Sequence, residues 1–183
     1  SDLLTSDPIP PTSRLPFSKE EVKRVWEHHS DPWVDTVLIL LYSGWRISEL
    51  LNLKPEDIDV QAGTMKGGTK TKAGKDRVVP IHSKIRPLVE ARLSESGPRL
   101  ISYNGKPCSI SQYRIFWADI MKALEMNHTP HECRHTFETQ LDSAGANRKC
   151  IDLLMGHVSK DTGNRVYNHK TLDELKAAVE LIR

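Results

Sequence analysis

The sequence predicts a mainly α domain with one small antiparallel β-sheet. Three observations carry that expectation. Apolar residues recur at helical spacing in most segments, often behind a Ser, Thr or Asn fit to cap a helix. The run Val37-Leu38-Ile39-Leu40-Leu41 is apolar all round, as a central core helix is. Between Ile58 and Ile81 the period shortens and Gly63, Gly67, Gly68 and Gly74 interrupt it, the pattern of short strands joined by turns.

Taken in order, residues 1–17 carry Pro8, Pro10, Pro11 and Pro16 among Ser, Thr and Asp and read as a linker, with the domain over 18–183. Ser18 and Glu21 fit a capping box, and Val22, Val25 and Trp26 share the face of a helix ending near His29. Pro32 opens the apolar helix and Gly44 breaks it; a short helix resumes over 47–51. Arg46 stands at that junction, beside the core, with a charge that cannot be buried alone. Strands are expected at 58–60, near 64–69 and at 77–81. Ser83 is placed to cap a helix with Ile85, Leu88, Val89 and Leu93 inward. Ser109 is placed to cap another with Tyr113, Phe116, Trp117, Ile120 and Leu124 inward. After Pro130, a helix from His131 to Ala144 sets Cys133, Phe137 and Leu141 on one face and His131, Arg134, His135 and Glu138 on another. Asn147 caps a helix over 148–155, which Gly156 ends at C′. Thr171 and Glu174 form a last capping box, opening a helix over 171–182 with Leu172, Leu175, Val179 and Ile182 in one stripe.

The bulk numbers bound the class. A chain of 183 residues, 38% hydrophobic and 27% charged, is enough for one domain with a core. A net charge of +2 does not by itself argue for nucleic acid, so any basic surface must come from patterning. The longest apolar run is far too short to span a bilayer, and no signal peptide is visible. Cys108, Cys133 and Cys150 are too scattered for a disulfide framework and fit reduced thiols in a cytoplasmic protein.

Chemistry-bearing residues gather in three places. One is Ser43-Gly44-Trp45-Arg46-Ile47-Ser48-Glu49-Leu50. The second is the basic stretch Lys66, Lys70, Lys72, Lys75 and Arg77. The third is His131-Glu132-Cys133-Arg134-His135, Met155-Gly156-His157 and Arg165-Val166-Tyr167-Asn168-His169. Two guanidiniums offer planar forks to phosphate oxygens without losing charge. Imidazoles titrate near neutrality, and a phenol attacks once deprotonated. Together these groups can hold a phosphodiester and break it. His131-Glu132-x-x-His135 also matches the HExxH zinc motif. Against zinc, Pro130 puts the motif at a helix start and Arg134 sets a fixed positive charge beside both ligands. No metal or other cofactor is expected.

In this order, these segments resemble the boxes of the tyrosine recombinases, the phage integrase family, over about residues 18–183. The resemblance is strongest to integrases of phages and conjugative transposons. Trp45 stands where many members have a smaller aliphatic residue, and Met155 where Leu is commoner; neither is expected to touch the chemistry. The resemblance implies a catalytic domain that cuts and rejoins double-stranded DNA through a covalent 3′-phosphotyrosyl intermediate, in the integration or excision of a mobile element or prophage. It implies Arg46 and Arg134 on the phosphate oxygens, Tyr167 as nucleophile and His131 as general base or phosphate positioner. His157 would hydrogen-bond a phosphate oxygen, and Lys72 would protonate the leaving 5′ oxygen, with Lys70 as its competitor. Glu49 would pair with Arg46, and His135 would orient Arg134 or pack beneath it. Lys66, Lys70, Lys75 and Arg77 would grip the DNA backbone; His128 and His169 would lie on the surface. It further implies a DNA-binding domain ahead of the linker and a homotetramer on two duplexes, the helix over 171–182 docking on a neighbouring protomer or back in cis. The rivals are a type IB topoisomerase with the same chemistry and a DNA-binding relative without it.

Overall fold

The structure, a computed structural model, describes residues 15–68, 72–157 and 170–183. The elements run α1 (Lys19–Glu27), α2 (Val34–Ser43), α3 (Ile47–Asn52), a 3-10 turn (Pro55–Asp57), β1 (Ile58–Asp59), β2 (Thr64–Gly67) and β3 (Arg77–Pro80). Then follow α4 (Arg86–Ser94), β4 (Ser102–Tyr103), β5 (Lys106–Pro107), α5 (Ile110–Ala123), α6 (Pro130–Ser143), α7 (Arg148–Met155) and α8 (Leu172–Glu180). The mainly helical α+β expectation holds. The sheet β1-β2-β3 is antiparallel, with Met65 facing both Ile58 and Val79 in register. No helix among the described residues is long and apolar enough to cross a membrane.

The core is built around α2. From Thr36 to Ser43 every side chain is buried, and the helix packs chiefly against α6. Gly44 ends α2 in the left-handed region at φ 71°. A Cβ there would lie 2.4 Å from the Phe137 ring of α6, so glycine is demanded by both backbone and space. That close approach sets the Gly44 carbonyl, two residues before Arg46, within reach of Arg134 on α6.

The caps read from the sequence are present at Ser18, Ser109, Asn147 and Thr171, each side-chain oxygen accepting a backbone N–H from the first turn. Ser83 is a correction. The helix it was to cap begins at Arg86, and Ser83 instead donates its hydroxyl to Glu180 (2.8 Å), whose other oxygen accepts the Ser83 N–H (2.7 Å). It thereby anchors α8. That helix packs in cis on α7 and β3, with Leu175, Ala178, Val179 and Ile182 buried and Leu172 partly exposed. The two-residue strands β4 and β5 carry no periodicity and were not expected.

Two more expectations fail on packing. Phe17, assigned to the linker, is buried; it stacks on His128 at 4.0 Å and donates its N–H to Thr136 Oγ1. His128, expected on the surface, has a side chain only 7% exposed and bridges Glu21 and Glu132. A ring pinned between two carboxylates and a phenyl face is structural. It also draws Glu132 away from the zinc-like role the HExxH match offered.

Candidate active site

Arg46 sits at the N-cap of α3 with extended backbone (φ −68°, ψ 149°). Its N–H donates to Glu49 Oε2 (2.9 Å) and its Nη1 to Glu49 Oε1 (3.1 Å), the pair the sequence suggested. Its side chain remains 18% exposed. Arg134, by contrast, is buried. Its Nη1 donates to the Gly44 carbonyl (2.7 Å) and its Nη2 to the Met155 carbonyl, and Nη2 lies 3.5 Å from His157 Nε2. Helix α7 ends at Gly156, left-handed at φ 68°, and the His157 N–H returns to Asp152 O (2.9 Å). This close turns His157 toward Arg134.

The charges of these residues act on one another. Burial first, then the charges of Arg46 and Arg77, push the Arg134 guanidinium down to about 10. Burial first, then Arg134, hold the His157 imidazole below its ordinary value, and Arg46 adds to that effect. The Arg46 charge therefore acts on both Arg134 and His157. Burial alone would raise the Glu49 carboxyl. Hydrogen bonds from Arg77 and the Arg46 amide, with both guanidinium charges, outweigh burial and hold it below the usual carboxylate range. Glu138 and Asp152 are drawn off by Arg148 at 3.1 and 3.3 Å. Two guanidiniums, those of Arg46 and Arg77, thus share one buried carboxylate with the Arg134 charge close by, an arrangement that favours an anion beside the exposed part of Arg46.

Arg77 is the largest correction. Expected to grip DNA, it is buried, donating Nη1 and Nη2 to the two oxygens of Glu49 (2.9 and 2.6 Å) and Nε to Leu154 O (3.1 Å). Its guanidinium lies 4.5 Å over the Trp45 ring. Trp45, thought remote from the chemistry, is thus the floor beneath this charge. Its Nε1 is buried and finds no acceptor among the described residues. Met155 enters the site through its carbonyl, so its side-chain type is indifferent there.

The remaining residues divide. His131 is exposed at the first turn of α6, and His135 is half-buried one residue beyond Arg134. Lys66, Lys72 and Lys75 are exposed on and beside the β2–β3 hairpin. Lys70, Tyr167 and His169 lie outside the described residues. The sequence did not disclose the carbonyls of Gly44, Leu154 and Met155 as partners of the two buried guanidiniums. Their only signal was a glycine closing a helix next to each box.

Residues 17–174 match the profile of the Phage integrase family. The tyrosine recombinase XerA of Pyrococcus furiosus is 32% identical over 192 residues, covering 98% of this chain and 66% of that protein. The XerC of Staphylococcus carnosus is 33% identical over 176 residues, covering 87% of this chain and 58% of that protein. The chain thus spans about two thirds of the length of these relatives, or somewhat less. A crystal structure of a XerA recombinase superposes with a TM-score of 0.69 at 27% identity, over 92% of this chain and 65% of that one. The Tn1549 transposon integrase, solved in complex with circular intermediate DNA, gives a TM-score of 0.71 at 24% identity over 92% of this chain and 65% of that one, a likeness of fold. A profile match across most of the sequence and relatives at these identities agree: the chain belongs to the phage integrase family of tyrosine recombinases.

Proposed function

We propose that residues 18–183 are the catalytic domain of a site-specific recombinase acting on double-stranded DNA in the cytoplasm, in the integration or excision of a mobile element. The observation that carries this reading is the seat of Arg134, which donates to the Gly44 carbonyl two residues before Arg46 and lies 3.5 Å from His157 Nε2. An excess of fixed positive charge needs an anion, and a phosphodiester supplies one. Charge gathering on the non-bridging oxygens in the transition state makes such donors worth roughly 2.7–4 kcal/mol each, by analogy with oxyanion holes.

The step balances without a cofactor. The Tyr167 oxygen attacks phosphorus while His131 takes the phenolic proton. The bond from phosphorus to the 5′ oxygen breaks, and Lys72 gives that oxygen a proton. A 3′-phosphotyrosyl ester and a free 5′ hydroxyl result, the ester energy is kept, and the reverse step with another 5′ hydroxyl rejoins DNA. Neutral His157 donates its ring N–H to a phosphate oxygen. Exposed Lys66 and Lys75, with Lys70, contact the backbone, so affinity falls with salt. The residues ahead of Phe17 are proposed to tether an upstream DNA-binding domain. Assembly is proposed as a homotetramer on two duplexes, α8 passing from its cis seat to a neighbour; sedimentation of the DNA complex measures the copy number.

A pool of random-sequence duplexes nicked near the centre tests the reading. The freed fragment diffuses away and traps a covalent adduct, which Tyr167→Phe abolishes while binding persists. An adduct that survives Tyr167→Phe overturns the assignment. Strand exchange between two sites, rather than relaxation of supercoils by single copies, distinguishes a recombinase from a topoisomerase.

A further inference from the structure

We propose that Arg77 is a positioning residue that ties the hairpin bearing Lys72 to both walls of the anion cradle, so that one buried side chain sets the general acid against the phosphate-binding guanidiniums. This rests on the recombinase reading above.

One planar group touches three segments of the site. Arg77 holds both oxygens of Glu49, which in turn holds Arg46 at the start of α3. Its Nε reaches the Leu154 carbonyl at the end of α7, three residues before His157. Its Nη1 also donates to the Gly74 carbonyl (3.3 Å), in the turn two residues beyond Lys72. The hairpin closes on Arg77 because nothing fills the gap. A Cβ at Gly68 would stand 2.0 Å from Gly74 O and 2.7 Å from Arg77 Nη1. A Cβ at Gly156 would stand 2.7 Å from Gly74 Cα and 3.2 Å from Arg77 Cδ. Hairpin turn, helix end and guanidinium therefore meet at van der Waals distance. A DNA-gripping arginine needs an exposed head; this one is sealed by carboxylate, carbonyls and indole. A lysine keeps the charge but lacks the planar fork that spans four acceptors. With Lys at 77, Glu49 retains both its bonds from Arg46, whereas the hairpin loses its tie.

The test separates proton delivery from phosphate binding. Duplexes that form adduct with the wild-type protein are remade with sulfur in place of the bridging 5′ oxygen. A thiolate leaves without a proton, so the general acid becomes dispensable. Arg77→Lys is expected to slow adduct formation on ordinary DNA about 10- to 100-fold, below the full worth of a general acid. On the sulfur duplex the deficit should shrink to within about threefold. DNA affinity should hold within about twofold, and Arg77→Lys should add little to Lys72→Ala. Gly68→Ala, whose Cβ would crowd the Gly74 carbonyl first and Arg77 Nη1 second, should give the same sulfur-rescued defect. It decides the matter if Arg77→Lys does not fold. Equal deficits on both duplexes, or no deficit, overturn the inference. A wild-type protein that forms no adduct at all overturns the recombinase reading instead.

Discussion

Arg134 Nη1 donates to the carbonyl of Gly44 at 2.7 Å, two residues before Arg46. The bond crosses from the middle of α6 to the end of α2 and sets the two arginines of the site on one frame. Gly44 permits it, since its left-handed turn leaves the carbonyl facing Arg134 and its missing Cβ leaves room for Phe137.

Arg134→Lys should therefore fail despite keeping the charge. A compact ammonium lacks the planar fork whose two nitrogens reach the Gly44 and Met155 carbonyls separately while the group faces a phosphate. Adduct formation under single-turnover conditions should fall about 10²–10³-fold, the loss of one preorganised donor. DNA binding by the basic hairpin should weaken far less.

Gly44→Ala should destabilise the fold. The left-handed backbone penalises any Cβ, and the Phe137 ring must move as well. Strain and overpacking together should cost about 3 kcal/mol. For a domain of this size that lowers the melting temperature by roughly 6–12 °C in a thermal scan. An unchanged melting temperature would contradict the close approach.

Anions should stabilise the apo protein. Sulfate or phosphate seated between Arg46 and Arg134 offsets the repulsion from Arg46 and Arg77 that adds to burial in holding the Arg134 guanidinium down. At a hundred times its dissociation constant such a ligand adds about 2.7 kcal/mol. Calorimetry should show a melting temperature rising with sulfate, and Arg46→Ala should remove most of that rise. The same rise in both proteins would mean the anion sits elsewhere.

Acid should loosen the seat of α8. His82 Nε2 donates to the Ile182 carbonyl (2.7 Å), and its Nδ1 accepts the Lys84 N–H (3.0 Å), so the neutral ring is fully used. Tyr42, Lys84 and Glu180 face it. Burial chiefly, with Lys84 against it and Glu180 for it, holds the ring below its ordinary 6.5. The unfolded chain then binds the proton first. The stability His82 contributes is complete above pH 6.5 and is lost as pH falls through 6.5 toward the folded value. His157 has the same sign, whereas Glu49 titrates in a more acidic window. Urea midpoints between pH 7.5 and 5 should fall, and His82→Gln, which keeps a donor for Ile182 and does not titrate, should flatten the slope.

Local rules account for much that was legible in the chain. Ser18, Ser109, Asn147 and Thr171 announce their helices because a side-chain oxygen satisfies a backbone N–H within one turn. Gly44 and Gly156 announce helix ends because only glycine takes that turn cheaply. The order of the boxes around Arg46, Arg134 and His157 placed the chain in its family. Long-range pairing was not legible. Ser83 looks like a cap and serves Glu180; His128 looks exposed and joins Glu21 to Glu132. Arg77 sits among lysines yet turns inward, because Glu49, 28 residues earlier, needs a partner for a buried carboxylate. Sequence alone determined which residues could do the chemistry, since spacing and residue type are written along the chain. Only the tertiary structure decided which charge faces solvent and which is neutralised inside, because burial and partnership depend on segments far apart in the chain.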